Sequence, residues 1–426
     1  MEITSVYQKI EQYLAEHAAE IKAIGERVWE MPELGYREEK TSALVRETLS
    51  DLGVEYTYPH ALTGVKARLK GRESRYNVCV IGEMDAIKCD GRAAHACGHH
   101  AQIAALLGTA TVLKKSGIME ALCGDVTLMA VPAEEFIELA YRNGLRQDGR
   151  IQYFGGKQQL IAEGAFDDVD IAMMLHAEGD EPNGRLYVKG HNLGFVAKTV
   201  TYRGRAVHGS TPFDGVNALN AAALSILGVH ANRETFREEE MIRIHPIITK
   251  GGDVVNSVPD EVVVETYVRG ATVEAIRKGV SALERAVDGA CRMVGADHTI
   301  ETVSGYLPLA ESAELSDVLA EVGERVLGAE NVVRGEMITG STDIGDLSHL
   351  IPTVQPSIGG FVGALHSRDF KTVNPDVAYV KAVEILAKTV AELLCDHAKK
   401  AERVKNCFVP KMTKAEYIDY LSGKEE

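Results

Sequence analysis

Apolar residues recur at helical spacing over residues 5–31 and 38–53, with Ile10, Leu14, Ile21, Ile24 and Val28 on one stripe and charges between them. Two opening helices are expected. Three short runs then read as near-continuous apolar stretches: 76–84 with Val78, Val80 and Ile81, 125–131, and 169–175. Runs of that length and character predict strands buried on both faces. Between the first two lies 101–115, rich in Ala and Leu and closed by Ser116-Gly117, which predicts a helix with its stop signal. The alternation of strand and helix predicts an α/β layer with a mainly parallel sheet.

From about His191 the pattern changes. Alternating runs at 195–202, 241–248, 261–268 and 298–302 are interleaved with helical periodicity at 217–229 and 273–294. That order predicts a split βαβ, ferredoxin-like α+β unit. The α/β texture returns with a helix at 313–327, a Gly- and Ser-rich loop at 339–345 and a closing helix at 377–394. The expected organisation is an α/β domain in two parts, 1–190 and 305–426, interrupted by an inserted domain at 191–304.

Composition narrows the function classes. The chain has 426 residues, 45% hydrophobic and 25% charged, an ordinary globular balance. Lys plus Arg total 46 against 62 Asp plus Glu, a formal net charge of −16, which argues against nucleic acid and anionic membrane as partners. The first twenty residues carry Glu2, Lys9, Glu11 and Glu16 and lack the apolar core of about 7–15 residues that a secretory signal needs. No apolar run approaches the ~18 residues that span a bilayer. A cytoplasmic protein is expected, with its seven cysteines mostly reduced thiols and Cys97 an exception argued below.

The densest polar cluster is His95-Ala96-Cys97-Gly98-His99-His100, between the first strand and its helix. Cys97 and His99 are two apart, so in an extended segment both face one side and could ligate one metal. Loop residues capping the helix at Ala101 are the competing reading. The second strand runs out into Pro132-Ala133-Glu134-Glu135, the third reaches His176, and the apolar run 354–365 ends in His366. A solvated Glu pair and a core histidine are the ordinary readings of such residues taken singly. Position favours the metal, because ligands of open α/β sheets gather at the carboxyl ends of the strands. One thiolate, three imidazoles and a carboxylate suit zinc, manganese, cobalt or nickel. Five donors exceed what one tetrahedral ion needs, so a paired site with a bridging ligand is expected. A metal site of this kind lowers the pKa of bound water to about 7 but still needs a base, and Glu134, adjacent to a ligand, is the candidate.

These residues resemble the dinuclear metal aminoacylase and carboxypeptidase family, in its amidohydrolase branch of hippurate hydrolases, auxin-conjugate hydrolases and p-aminobenzoyl-glutamate hydrolase subunits. The matching segments are Glu83-Met84-Asp85-Ala86, His95 to His99, Pro132-Ala133-Glu134-Glu135, Leu175-His176, Gly204-Arg205-Ala206-Val207-His208, Asn256-Ser257-Val258-Pro259 and Leu365-His366-Ser367, in family order across nearly the whole chain. The resemblance implies two divalent metal ions held by Cys97, as the bridging ligand, with His99, Glu135, His176 and His366. It implies Glu134 as general base and then acid, and Asp85 orienting the site from behind. It further implies that the inserted domain is a lid and dimerisation domain of a homodimer. From that domain His208 would stabilise the developing oxyanion, in the partner's site, while Asn256 and Arg269 would hold the substrate and its free carboxylate. Three positions depart from the pattern: His100 stands where Asp is common, Glu83 where the branch usually has Asp, and Val131 where Gln is common. The segment 340–346 looks most like the aminobenzoyl-glutamate hydrolase and dipeptidase side of the branch.

The expected activity is metal-dependent hydrolysis of the amide bond of an N-acyl, N-aroyl or N-aminoacyl amino acid. A thiol hydrolase using Cys97 with His99 would leave the three remote ligand candidates unexplained. A catalytically silent metal-binding homologue would be expected to have lost Glu134 or a ligand, and this chain keeps them all.

Overall fold

The computed structural model describes residues 2–335 and 337–423. The chain divides into two units, the first comprising 2–191, 310–337 and 346–414, the second 192–309, 338–345 and the residues from Ala415 on.

In the first unit the opening helices α1 (Ile3–Trp29) and α2 (Glu39–Asp51) bury the stripe that their periodicity announces, including Val6, Ile10, Leu14, Ile21 and Val28 on α1. They are followed by β1 (Tyr56–His60), β2 (Gly64–Leu69) and β3 (Asn77–Glu83). Then come α3 (His99–Lys115), β4 (Asp125–Val131), α4 (Leu139–Gln147), α5 (Gly156–Glu163), β5 (Ile171–Met173) and β6 (His176–Ala177). After the second unit the chain adds α6 (Ala313–Leu327), β7 (Thr353–Val354), β8 (Ser357–Ile358) and α7 (Ala382–Leu394).

The central sheet has the order β1-β2-β4-β3-β5-β7. Its core is parallel, β3 pairing β4 and β5 and β5 pairing β7 in that sense. Both β3 and β4 are buried at every position, which is why they read as unbroken apolar runs rather than alternating ones. The antiparallel edge formed by β1 and β2 is not predicted by the hydrophobic pattern. Only the ends of β1 are even half-buried, its register shifts between Thr57 and His60, and Pro59 interrupts its donors, so it carries no alternation to read. The closing helix also differs from its expected start: residues Asp376–Lys381 form a π turn before α7 begins. Short β6 and β8 pair in parallel in a second, small sheet, with His176 opposite Ser357.

The second unit is an antiparallel sheet whose long strands, Gly194–Arg203, Glu261–Gly270 and Asp297–Ser304, lie side by side with Gly194–Arg203 in the centre. The short strands Arg243–Ile244 and Ile247–Lys250 both pair with Glu261–Gly270. Helices Ala218–Ala231 and Val273–Val294 pack their apolar faces on it, through Ala221, Ala222, Val229, Leu283 and Val287 among others. Each starts at a side-chain cap, Asn217 accepting from the amides of Leu219 and Asn220, and Thr272 from that of Ala275. The β-α-β-β-α-β order of a split βαβ unit is therefore present. Among the described residues, no helix is long and apolar enough to cross a membrane.

Candidate metal centre

The carboxyl ends of β3, β4 and the β5–β6 segment deliver Glu83 and Asp85, Glu134 and Glu135, and His176 to one place. Cys97 and His99 join them from the start of α3. They do so through a turn rather than the extended segment that their spacing suggests. Gly98 between them has φ +85°, and a Cβ there would stand 2.3 Å from the Cβ of Ala177. Only glycine fits both the conformation and the close approach. His366 arrives from the loop after β8, itself left-handed at φ +64°.

Two sets of three donors meet at one sulfur. Cys97, His99 and His176 form one group and Cys97, Glu135 and His366 the other, each with donor atoms within 4.8 Å of one another. The Cys97 Sγ lies 3.6 Å from His176 Nε2 and 3.3 Å from His366 Nε2, which is itself 3.2 Å from Glu135 Oε1. Ligands 2.0–2.3 Å from a common tetrahedral ion stand roughly 3.3–3.6 Å apart, so these separations fit metal sites. The ring nitrogens on the far side are engaged: His99 Nδ1 donates to the Asp85 carbonyl at 2.8 Å, and His176 Nδ1 to the Ala177 carbonyl at 2.8 Å. Both rings thereby keep the Nε2 lone pair for the cluster. His99 Nε2 and Glu135 Oε1 are buried without a hydrogen bond. Orphaned buried donors of this kind, with a soft thiolate and imidazoles around them, fit divalent ions.

Electrostatics in the bare cluster follow from burial and proximity. Burial, then the Glu135 carboxylate, holds the Cys97 thiol well above its ordinary value. Burial opposes charge on His99, but Cys97 and Glu83 outweigh it and raise that imidazole. Burial lowers His176, whereas the adjoining Glu135 carboxylate raises His366. Asp85 ties the two donor sets together: Oδ1 lies 3.2 Å from His99 Nδ1 and Oδ2 accepts the Glu135 amide at 2.9 Å. Glu134 approaches the same cluster, with Oε2 3.9 Å from His99 Nε2. In an extended segment Glu134 and Glu135 would face opposite ways; here both reach the donor cluster, just after the left-handed Ala133 at φ +55°.

Two groups near the cluster, Lys157 and Gln102, carry no signal in the sequence pattern. Glu83 lies beneath His99, Oε2 at 3.1 Å from Nε2, and is tied to the buried Lys157 ammonium and to Gln102 Nε2 at 2.7 Å. Burial opposes its ionisation, but Lys157 draws its pKa down. Glu83 stands in a matched motif; Lys157 and Gln102 look like any helix-surface residues in sequence. His100 points elsewhere, with Nε2 3.0 Å from Thr372 Oγ1 and its ring against Trp29, Phe361 and Tyr379. It belongs to none of the metal-compatible groups among the described residues.

In the second unit His208 and Asn256 come together, His208 bridging to Ser257 and the Gly209 amide donating to the Asn256 carbonyl at 2.9 Å. His208 Nδ1 accepts the Ser210 amide at 3.1 Å, which leaves the proton of a neutral ring on Nε2. Arg269 lies opposite Phe195 in the sheet register, its guanidinium carbon 5.3 Å and 5.6 Å from the Phe195 and Tyr267 ring centroids. It donates to Ser341 Oγ at 2.7 Å. Ser341 belongs to the Gly- and Ser-rich loop seen in the sequence, where only the loop and not this contact is legible.

The model of the peptidase family M20/M25/M40 matches residues 80–395. The chain belongs to this family. Among its relatives, Xaa-Arg dipeptidase from Mus musculus is 27% identical over 83% of this chain and 80% of its own length. IAA-amino acid hydrolase ILR1-like 4 from Arabidopsis thaliana is 26% identical over 89% and 84%. A dinuclear metal-binding M20 peptidase from Bacillus subtilis superposes with a TM-score of 0.71 at 22% identity, covering 88% of this chain and 98% of the other. The family member described here is a metal-dependent hydrolase of linear amide bonds, and its α/β catalytic fold with an inserted α+β domain is that of the family.

Proposed function

We propose that this protein releases a free amino acid from an N-acyl, N-aroyl or N-aminoacyl amino acid, with aminobenzoyl-glutamate-like compounds and dipeptides as the substrate class. The observation that carries this reading is the meeting of two donor triads at Cys97 with the Glu134 carboxylate beside them. Cys97, His99, Glu135, His176 and His366 would hold two divalent ions, zinc, manganese, cobalt or nickel. Bound there, such ions supply Lewis acidity toward a carbonyl oxygen and lower the pKa of water.

The chain's own groups do the rest. Glu134 takes the proton of the attacking water and returns it to the leaving nitrogen, so the carboxylate ends the cycle as it began. The Asp85 main-chain carbonyl keeps His99 in the Nδ1–H tautomer and its carboxylate holds the Glu135 amide, so one residue fixes a ligand of each triad. His208, with Nε2–H free to donate, hydrogen-bonds the carbonyl oxygen as charge develops on it. Arg269 and Asn256 hold the substrate, the guanidinium pairing with its free carboxylate. The reading also includes a cytoplasmic homodimer formed through the inserted domain, with His208 serving the partner's site.

The test is amino acid release from a panel of N-acyl amino acids, aminobenzoyl-glutamate and dipeptides. Metal-stripped protein should be silent, and added zinc, manganese or cobalt should restore turnover on part of the panel. Full turnover by stripped protein, or silence across the panel with two ions bound, would overturn the reading.

A further inference from the structure

The mechanism above uses the side chains of Glu134 and Glu135 but leaves unexplained a set of buried groups that grip only the backbone around them. Ala133, at φ +55°, occupies a conformation that a residue with a Cβ seldom adopts. Such a turn persists only where its surroundings over-determine it. Here they do. The Ala133 amide donates to Glu38 Oε1 at 2.8 Å, and the Ala133 carbonyl accepts from the Gly156 amide at 3.1 Å and from Arg142 Nη1 at 3.3 Å. The Glu135 amide donates to Asp85, and the Glu135 carbonyl accepts from Arg142 Nη2.

Arg142 bonds the chain on both sides of Glu134. It is 1% exposed, and its fork also reaches the Phe154 carbonyl at 2.6 Å, under the ring of Tyr36. The turn is closed from the other side by Gly35, where a Cβ would stand 2.5 Å from Arg142 Nη2 and 2.9 Å from Ala133 Cα.

We propose that Arg142 is a positioning residue of the metal centre: by bonding the carbonyls of Ala133 and Glu135 it holds the left-handed turn in which the Glu134 and Glu135 carboxylates both face the Cys97 cluster. The planar guanidinium spans two carbonyls at once, which an ammonium does not. This inference rests on the reading of Glu134 as the group that moves the proton. A turn released by loss of the fork would misplace that carboxylate, and a displacement of about 1 Å in a reacting group costs on the order of 100-fold in rate.

The experiment compares wild type, Arg142→Lys, Arg142→Ala and Gly35→Ala, each loaded with cobalt. Turnover is read on the best panel substrate, alongside the visible cobalt spectrum, bound-metal stoichiometry and thermal unfolding. The expected result is a kcat loss of about 100-fold in Arg142→Ala and about 10-fold in Arg142→Lys and Gly35→Ala. KM should stay within about 3-fold, with two ions bound and a cobalt spectrum altered by the shift of Glu135. If Arg142→Ala does not fold, Arg142→Lys and Gly35→Ala carry the same test. Folded variants with wild-type kcat and an unchanged cobalt spectrum overturn the inference. A silent wild type would instead count against the proposed function, and the cobalt spectra of the variants would still decide the role of Arg142.

Discussion

In the proposed function Glu134 and Glu135, chain neighbours, take separate tasks, and their surroundings differ accordingly. Glu135 has its amide on Asp85 and an oxygen 3.2 Å from His366, whereas Glu134 approaches the cluster at 3.9 Å from His99. His100 shows how far a residue's type can mislead about its task. An imidazole beside a ligand is chemically fit to bind metal, yet its ring lies among Trp29, Phe361 and Tyr379 and its Nε2 meets Thr372. Replacement by Asn should therefore leave two ions bound per chain while lowering stability by about 1–3 kcal/mol through lost packing and a lost buried hydrogen bond. Metal analysis and thermal unfolding of His100→Asn check this, and loss of an ion would place His100 among the ligands. At this scale the candidate donors were legible because Glu135, His176 and His366 follow apolar runs, where a polar residue is conspicuous, and Cys97 and His99 lie in a dense polar cluster ahead of an apolar helix. Arg142 and Lys157 were not, because a charge buried against carbonyls or a carboxylate has the same local sequence as one in solvent.

Elements place these residues through their ends. The parallel strands β3 and β4 stop at Glu83 and Val131, and the polar residues follow at once. The helices and buried strands were legible from periodicity because each has one face or both in the core. Of the antiparallel edge, β1 was not, since an exposed strand broken by a proline offers no alternation, whereas β2 does alternate, with Val65, Ala67 and Leu69 inward. Local ionisation should also be visible at this scale. Glu311, just before the Ser312 cap of α6, accepts from the Gln355 amide and the Ser316 hydroxyl, and burial pushes its carboxyl up to about 7. A carboxyl raised in the folded state favours folding below its unfolded value near 4.5, and that contribution is lost as pH rises through about 7. Glu311→Gln should thus flatten the decline in unfolding temperature between about pH 4.5 and 7. An unchanged pH profile would contradict the shift.

For the molecule as a whole, a net charge of −16 does not oppose an anionic substrate in the proposed reading, because divalent ions and Arg269 would set the local field regardless of net charge. Ions that bind the folded chain also stabilise it, by about 2.7 kcal/mol at a hundredfold excess over Kd, so stripping should lower the unfolding temperature. The proposed sharing of His208 across a dimer has its own test. Glu134→Gln and His208→Ala chains, each inactive alone, should regain about a quarter of wild-type turnover when mixed as dimers, since half the dimers are mixed and each holds one intact site of two. No recovery, with mixed dimers verified, would place His208 in its own chain's site. Metal binding and proton transfer meet where the Glu134 carboxylate stands beside the donor cluster, and one paired measurement addresses both. Bound metal and amino acid release should be determined side by side for wild type and Glu134→Gln. The account predicts two ions per chain in each protein and a loss of turnover of at least about 100-fold in the variant. Near-native turnover by Glu134→Gln with its ions in place would contradict it.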